Sequence, residues 1–233
     1  MNQRQVQNIL VIDDDESIQR MVCDKLEYEG YAVWAANDGK HALEIIDRRG
    51  LPHLAIVDIH MPAMGGFEFC EIVHQYADLP VILLTAVDDE DTIVRGIRYF
   101  AEDYVTKPFS PRQLAARVER VLHRIGSFDY ALEPKVKIDD FLEVDLAHQE
   151  VRVDDKVVKL TPIENKILYI LISNAPRVVT TRFLLDRVWP QESVLEDVLR
   201  VHMHRLREKI EKHSGSRRYI LTERGLGYRF KKC

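Results

Sequence analysis

The stretch LAIVD at residues 54–58 decides the fold of the first half, because four apolar residues run without interruption into an acid. A strand that is apolar on both faces is typical of a parallel sheet covered by helices on both sides. Similar strands are predicted at residues 8–12, 32–35, 81–84 and 104–106, and helical spacing follows each strand. Five such repeats predict a doubly wound α/β domain with a five-stranded parallel sheet.

Polar side chains follow these strands. Ligands of doubly wound folds bind at the carboxyl ends of the strands, so side chains at those ends are expected to meet. The strand-end residues are Asp13, Asp14, Asp58, Thr85 and Lys107. Because clustered carboxylates repel one another, they need a cation, and oxygen ligands suit Mg²⁺. One carboxylate could then attack a phosphoryl donor, while the lysine and the threonine stabilise the transferred group.

Length and composition indicate a protein of two globular domains. The chain has 233 residues, of which 46% are hydrophobic and 30% are charged, and this leaves room for two cores. No apolar run is long enough to span a bilayer, and the N-terminus lacks the pattern of a signal peptide. Cys23, Cys70 and Cys233 are too few and too widely spaced for a disulfide framework or a zinc site. We therefore expect a cytoplasmic protein with no membrane partner.

Charge is distributed unevenly along the chain. Residues 1–130 contain 13 Lys and Arg against 22 Asp and Glu, a net charge of −9, whereas residues 131–233 contain 20 against 16, a net charge of +4. Residues 196–233 alone carry a net charge of +6. The asymmetry indicates that the C-terminal part meets a polyanion.

The second half predicts an α+β winged-helix domain. After an irregular stretch, strands are predicted at Leu142–Asp145, Glu150–Val153 and Lys156–Lys159. The sequence TPIE at residues 161–164 predicts a capping box that opens a helix. Further helices are predicted at Arg182–Val188 and Glu196–Lys212, and a basic hairpin closes the domain around residues 219–231. Two helices joined by a turn and followed by such a hairpin are typical of winged-helix DNA-binding proteins.

The last helix combines an apolar stripe with a charged face. The residues with core spacing are Leu195, Leu199, Met203 (or His202), Leu206 and Ile210. Arg and His side chains can donate hydrogen bonds to base edges, and Lys suits phosphates. The candidate DNA contacts on this helix and the hairpin are Asp197, Arg200, Val201, His204, Arg205, Arg207, Lys209, Arg224 and Arg229.

The segments ILVIDDDE, LAIVDIHMPAMGGFE, VILLTA and DYVTKPF resemble the receiver domain of two-component response regulators over about residues 7–125. The resemblance implies that Asp58 accepts a phosphoryl group from a sensor histidine kinase and that Thr85 and Lys107 sense it. It implies that Tyr104 is a switch aromatic. The implied Mg²⁺ ligands are Asp13, Asp14, Asp58 and the backbone carbonyl of His60.

The segments VVKLTPIE, VVTTRFLLDRVWP, VLRVHMHRLREKI and ILTERGLGYRF resemble the OmpR/PhoB-type winged-helix effector over about residues 133–231. The resemblance implies a four-stranded N-terminal sheet, a recognition helix at 196–211, and double-stranded promoter DNA and RNA polymerase as partners. Leu199, Arg200 and Met203 are closer to a KdpE-like subgroup. The resulting division is a receiver domain at 1–125, a linker at 126–136 and a winged-helix domain at 137–233.

One surface departs from the family pattern. Active members dimerise through charge pairs around the helix predicted at 89–99, the fifth strand and the last receiver helix. Candidates for these pairs are Asp103, Arg117, Arg120 and Arg124. The departures are Ile93, Tyr99, Phe100 and Gln113. We expect a homodimer on activation, with an interface that is more apolar or differently arranged.

Three functions are candidates for this sequence. The first is a transcription factor switched by phosphorylation, which accepts phosphate on itself and does not turn over an external substrate. The second is a constitutive DNA-binding protein whose receiver is only an interaction module, and the complete acidic set with Thr85 and Lys107 argues against it. The third is a stand-alone aspartyl-phosphate hydrolase, which would need a substrate pocket and a cap where the sequence predicts a DNA-binding domain.

Overall fold

The computed structural model describes residues 6–86, 101–125, 135–190, 192, 194–211 and 219–231, and at residues 86, 124 and 125 only the backbone. The chain divides into two compact units, one of residues 1–74 with 79–125, the other of residues 75–78 with 126–233. The helix expected at 89–99 lies outside the described residues, as do Ile93, Tyr99 and Phe100. Among the helices that the structure describes, none is both long and apolar enough to cross a membrane.

The first unit is built on a five-stranded parallel sheet in the order β2-β1-β3-β4-β5, which confirms the predicted fold. Its strands are β1 (Asn8–Ile12), β2 (Ala32–Ala36), β3 (Leu54–Asp58), β4 (Val81–Ala86) and β5 (Asp103–Lys107). Its described helices are α1 (Glu16–Tyr28), α2 (Gly39–Arg49), α3 (Gly66–Tyr76) and α4 (Pro111–Ile125), with the last two residues of α3 counted in the second unit.

The sheet of this unit forms the core. Every residue of β3 is buried, as are residues 9–12 of β1, which is the burial on both faces that uninterrupted apolar strands require. Two aspartates start the helices that follow β1 and β2. The Asp15 carboxylate accepts hydrogen bonds from the backbone N–H groups of Ser17 and Ile18, and the Asp38 carboxylate accepts one from His41. Such caps stabilise a helix by about 1 kcal/mol each.

The second unit contains two antiparallel sheets and three helices within the described ranges. The first sheet is formed by β6 (Val136–Lys137), β7 (Leu142–Asp145), β8 (Glu150–Val153) and β9 (Lys156–Lys159). The helices are α5 (Pro162–Ser173), α6 (Thr181–Val188) and α7 (Glu196–Glu211). The second sheet has the order β10-β12-β11 and is formed by β10 (Val178–Thr180), β11 (Ile220–Glu223) and β12 (Gly227–Phe230).

The structure of the second unit confirms one local prediction and changes the bounds of another. The capping box is confirmed, because the Glu164 N–H donates to Thr161 Oγ1 at 3.3 Å and the Thr161 N–H donates to Glu164 Oε2 at 2.8 Å. Val136, which was assigned to the linker, begins β6, and residues 126–134 of that linker lie outside the described residues. β10 was not predicted, since three residues give too short a pattern; its pairing with β12 defines it as a strand.

The apolar stripe of α7 was predicted correctly except at its start. Leu199, Met203, Leu206 and Ile210 are buried, and Met203 rather than His202 completes the stripe. Including Leu195 was wrong, because that residue precedes the helix and its side chain is 75% exposed. Burial of this stripe determines which face of α7 points away from the core.

Candidate functional site

The carboxyl ends of four neighbouring strands bring the predicted polar side chains to one edge of the receiver-like sheet. Ile12 at the end of β1 lies opposite Val57, so Asp13 and Asp58 follow at the same level. Asp58 lies opposite Leu84, and the next residue of β4 is Thr85. Lys107 ends β5, directly beside β4. Parallel pairing alone therefore gathers these groups.

The acidic cluster consists of Asp13, Asp14 and Asp58. Each offers a carboxylate oxygen, and these oxygens all lie within 4.8 Å of one another. Asp13 and Asp58 are buried, whereas Asp14 is exposed. The Lys107 ammonium donates to Asp13 Oδ2 and to Asp58 Oδ2, both at 2.8 Å. One cation thus bridges the two buried acids.

Burial and pairing change the ionisation of this cluster. Burial raises the pKa of Asp13 above its usual value, although hydrogen bonds from Lys107 and from the Asp15 N–H act in the opposite direction. Burial lowers the pKa of Lys107, but its hydrogen bonds to Asp13 and Asp58 outweigh that effect and the pKa is raised. Lys107 is therefore held in its charged form next to the acids.

The other predicted residues of this edge differ in exposure. Thr85 is fully buried, Tyr104 on β5 is 37% exposed, and His60 is exposed in the loop after β3. The role of the His60 backbone carbonyl stays a prediction. A hydroxyl, an ammonium and three carboxylates together can bind a cation and an anionic group beside it.

Two further residues shape this edge, and the sequence reasoning missed both. Gln19 Nε2 lies 3.1 Å from the Asp13 carbonyl oxygen and 2.8 Å from that of Ala36, so it ties the ends of β1 and β2 together. A Cβ at Gly66 would lie 2.2 Å from the Asp58 carbonyl oxygen. For Gly66, the available signal in the sequence was a glycine at the start of a helix, eight residues after the strand-end acid Asp58.

In the second unit, α7 presents its exposed face opposite the buried stripe. The exposed candidates on that face are Asp197, Arg200, Val201, His204 and Arg205. Some of them interact with their own helix: Arg200 Nη1 lies 3.0 Å from Asp197 Oδ1, and His204 Nε2 lies 4.0 Å from Glu208 Oε1. The exposed tip of the β11–β12 hairpin carries Arg224.

Three predicted DNA contacts are engaged inside the unit. Arg207 donates to the Ile220 carbonyl oxygen at 2.9 Å and to Thr222 Oγ1 at 2.8 Å. Arg229 donates to Glu223 Oε1 at 2.7 Å. Within the described ranges, Arg205 and Arg224 are exposed and form no ion pair, so their charge is available to a ligand.

Lys209 is the third engaged cation. It donates to the Lys159 carbonyl oxygen at 2.9 Å and to Glu164 Oε2 at 2.7 Å. Burial raises the pKa of Glu164, but hydrogen bonds from Lys209 and Thr161 outweigh burial and lower it below its usual value. Lys209 therefore joins α7 to the capping box of α5.

The candidate dimer residues also interact within the chain. Asp103 Oδ2 accepts hydrogen bonds from Arg117 Nη1 at 2.8 Å and from Arg120 Nη2 at 2.6 Å. The Arg124 side chain lies outside the described residues, and Gln113 is exposed on α4. Any use of Asp103 by a second copy would have to share or replace these two contacts.

Comparison with known proteins places both halves of the chain. The family model described as "Response regulator receiver domain" matches residues 9–119, and "Transcriptional regulatory protein, C terminal" matches residues 155–230. A "Probable transcriptional regulator ycf27" of Galdieria sulphuraria is 34% identical over 99% of this chain and 92% of its own length. The "KDP operon transcriptional regulatory protein KdpE" of Escherichia coli is 37% identical over 96% of this chain and 98% of its own length. The crystal structure of the Thermotoga maritima OmpR/PhoB homolog DrrB covers 97% of this chain and 100% of its own, with 32% identity and a TM-score of 0.47.

Proposed function

Because the chain belongs to the two-component response regulators of OmpR/PhoB type, which carry a DNA-binding domain behind a receiver, we propose that phosphorylation of Asp58 controls its binding to promoter DNA. We assign residues 1–125 to the receiver domain, 126–135 to the linker and 136–233 to the winged-helix domain, with Val136 moved from the linker because it begins β6. The matched ranges 9–119 and 155–230 support this division. The proposal makes the protein a regulator that is modified, with no external substrate to turn over.

Asp58 is the proposed phosphoacceptor, and the observation that carries the proposal is its position between Lys107 and the other two acids. A carboxylate oxygen of Asp58 would attack the phosphorus of a phosphohistidine on a sensor kinase. A new O–P bond forms, the N–P bond breaks, and the electron pair returns to the histidine ring. The site needs no base for this step, because the attacking carboxylate carries no proton.

The donor set fits Mg²⁺. Three carboxylates supply hard oxygen ligands, and the exposure of Asp14 leaves room for the waters that this ion keeps. Asp13, Asp14 and Asp58 would hold the ion, with the His60 carbonyl oxygen as a further ligand. When bound, Mg²⁺ neutralises negative charge on the phosphoryl oxygens.

Lys107, Thr85 and Tyr104 are the proposed sensors of the phosphoryl group. The Lys107 ammonium lies 2.8 Å from Asp58 Oδ2, within reach of an oxygen added there. Thr85 is on the adjacent strand with its side chain buried at the same edge, so its hydroxyl could donate to the same group. Tyr104 lies opposite Leu83 on β5, where its half-exposed ring could follow a movement of Thr85.

The proposed output is binding of α7 in the major groove, with the β11–β12 hairpin in an adjacent groove. Arg200, Val201, His204 and Arg205 on α7, together with Arg224, would contact DNA directly, and Asp197 lies on the same face beside Arg200. Arg207, Lys209 and Arg229 would orient these elements through their internal bonds. We further propose a homodimer on activation through the surface of Asp103, Arg117, Arg120 and Arg124, and RNA polymerase as a partner.

Intact-mass measurement after incubation with acetyl phosphate and Mg²⁺ tests the phosphoacceptor. The wild-type chain should gain the mass of one phosphoryl group, and Asp58→Asn should gain none. Asp24→Asn, which changes an exposed acid on α1, should be labelled like the wild type. Undiminished labelling of Asp58→Asn would exclude Asp58 as the acceptor.

A further inference from the structure

The first turn of α7 holds an ion-pair cluster on the face proposed to meet DNA. Arg200 Nη1 lies 3.0 Å from Asp197 Oδ1, and Arg200 Nη2 lies 3.5 Å from Glu196 Oε2. The side chains of Arg200, Asp197 and Glu196 are 64%, 84% and 59% exposed. Two acids and one base give this cluster a net negative charge, which disfavours contact with the phosphate backbone.

We propose that Asp197 is a positioning residue that holds the guanidinium of Arg200 to read a guanine in the major groove, an inference that rests on the proposed function. A guanidinium has five N–H donors, and the two carboxylates engage its two terminal nitrogens through one donor each. Three donors remain for a base. Donation by one arginine to guanine O6 and N7 is the commonest specific contact in the major groove.

Holding the side chain in advance favours recognition for an entropic reason. A free arginine loses much rotamer freedom when it is fixed against a base. Asp197 and Glu196 precede Arg200 by three and four residues and so lie on the same face of the helix. Their contacts restrict the guanidinium before DNA arrives, so less freedom is lost on binding.

The arginines of this surface differ in the kind of DNA contact that their charge suits. Arg205 and Arg224 are exposed and, in the described part of the chain, form no ion pair, so they suit the phosphate backbone and supply affinity that does not depend on sequence. Arg200, with its charge balanced by two neighbours, supplies selectivity. Arg200→Ala should therefore relax one position of the DNA site, whereas Arg205→Ala should weaken binding to all duplexes.

The test uses the full chain, phosphorylated with acetyl phosphate and Mg²⁺. Selection from random duplexes first defines the bound site. Each selected guanine is then replaced by 7-deazaguanine, which lacks the N7 acceptor, or by hypoxanthine, which keeps both N7 and O6. At one of these guanines, 7-deazaguanine should weaken wild-type binding roughly tenfold or more, and hypoxanthine should have little effect.

The variants test whether this loss of affinity, the 7-deazaguanine penalty, depends on Arg200 and on Asp197. Arg200→Ala should lose the penalty, and Arg200→Lys should reduce it, because a lysine can also donate to guanine N7 but lacks the planar pair of N–H groups. Asp197→Ala should reduce the penalty at the same guanine to a few-fold and should bind all duplexes somewhat more tightly, because one negative charge is gone. The matched control is Asp186→Ala on α6, which removes the acid of another exposed intrahelical pair, with Arg182 at 3.6 Å. It should keep the full penalty.

Three results would overturn the inference while leaving the proposed function intact: no guanine with a 7-deazaguanine penalty, an unchanged penalty in Asp197→Ala, or an effect of Asp197→Ala at a different base from that of Arg200→Ala. The last would mean that Asp197 contacts a base itself. Failure of the phosphorylated wild type to select any duplex would instead contradict the proposed function, and the inference with it.

Discussion

Lys107 places one ammonium group between two buried carboxylates, 2.8 Å from each. That charge offsets the repulsion between Asp13 and Asp58, and it also reduces the attraction of the cluster for any other cation. Electrostatic effects at such short range are large even with an effective dielectric constant of roughly 20. We therefore expect this single residue to stabilise the acids and to weaken the proposed binding of Mg²⁺.

Lys107→Met should therefore bind Mg²⁺ more tightly than the wild type, by several-fold, because a competing positive charge is removed. Isothermal titration calorimetry of the unphosphorylated chain measures this directly. Lys40→Met, an exposed substitution on α2, should leave the affinity unchanged. Weaker Mg²⁺ binding by Lys107→Met would show that the lysine supports the metal site instead.

His53 is a buried residue with an expected pH signature. Its Nδ1 accepts a hydrogen bond from the Asn8 N–H at 2.9 Å, and burial lowers the pKa of the imidazole from 6.5 to about 4. The unfolded chain then binds more protons than the folded one between these values. The free energy of unfolding should consequently fall as pH drops from about 6.5 towards 4, by up to about 3 kcal/mol from this group.

His53→Asn should remove that contribution, because the amide oxygen can still accept the Asn8 N–H but does not titrate in this range. Urea unfolding at several pH values between 4 and 7, followed for the receiver transition, gives the slope for both chains. A slope in His53→Asn equal to that of the wild type would contradict the assignment to this histidine.

At the scale of elements, the start of α3 packs directly against the end of β3. A Cβ on Gly66 would lie 2.2 Å from the Asp58 carbonyl oxygen and 2.8 Å from Val57 Cγ1. Gly66→Ala should therefore displace α3 or β3, lower the free energy of unfolding by about 3 kcal/mol or more, and reduce phosphoryl labelling of Asp58. Gly65→Ala is the matched control, since its Cβ would meet only the Ile59 carbonyl oxygen at 3.4 Å. Equal stability of the two variants would contradict the packing.

The contact between α7 and α5 depends on a buried charge. Glu164 is 1% exposed, and its carboxylate accepts from Lys209 at 2.7 Å. Lys209→Met leaves this carboxylate without its cation and should cost about 3 kcal/mol in unfolding free energy, measured by urea titration. Lys137→Met removes an exposed cation that pairs with Asp140 at 2.9 Å and should leave the urea midpoint nearly unchanged, because solvent screens such a pair. A small loss in Lys209→Met would show that the pair is not needed to hold α7.

Elements with long, regular patterns could be predicted from the sequence. The buried strands, the capping box at Thr161 and the face of α7 follow from apolar periodicity and local hydrogen bonding, and the strand-end rule locates Asp58 and Lys107 because parallel strands end together. What could not be predicted depends on partners distant in sequence. β10 exists through its pairing with β12, and Arg207 and Lys209 look like phosphate contacts until Ile220 and Glu164 are seen beside them.

At the scale of the whole molecule, the two halves carry opposite charge and different chemistry. Residues 1–130 are acidic and contain the acidic cluster with the proposed phosphoacceptor, whereas residues 196–233 carry a net charge of +6 and contain the proposed DNA-binding elements. In the proposed function, phosphorylation of Asp58 alters how tightly α7 and the hairpin bind DNA. If the positive charge of residues 196–233 alone determined DNA binding, a change at Asp58 would leave the affinity for DNA unchanged.

The most direct test is the affinity of the full chain for its selected duplex at fixed ionic strength, measured by fluorescence anisotropy with and without acetyl phosphate and Mg²⁺. We predict that phosphorylation increases the affinity of the wild type by tenfold or more and that Asp58→Asn shows no increase under the same conditions. Equal affinity of the wild type in both states, with Asp58 shown to be fully labelled, would contradict the account and would identify the protein as a constitutive DNA-binding protein.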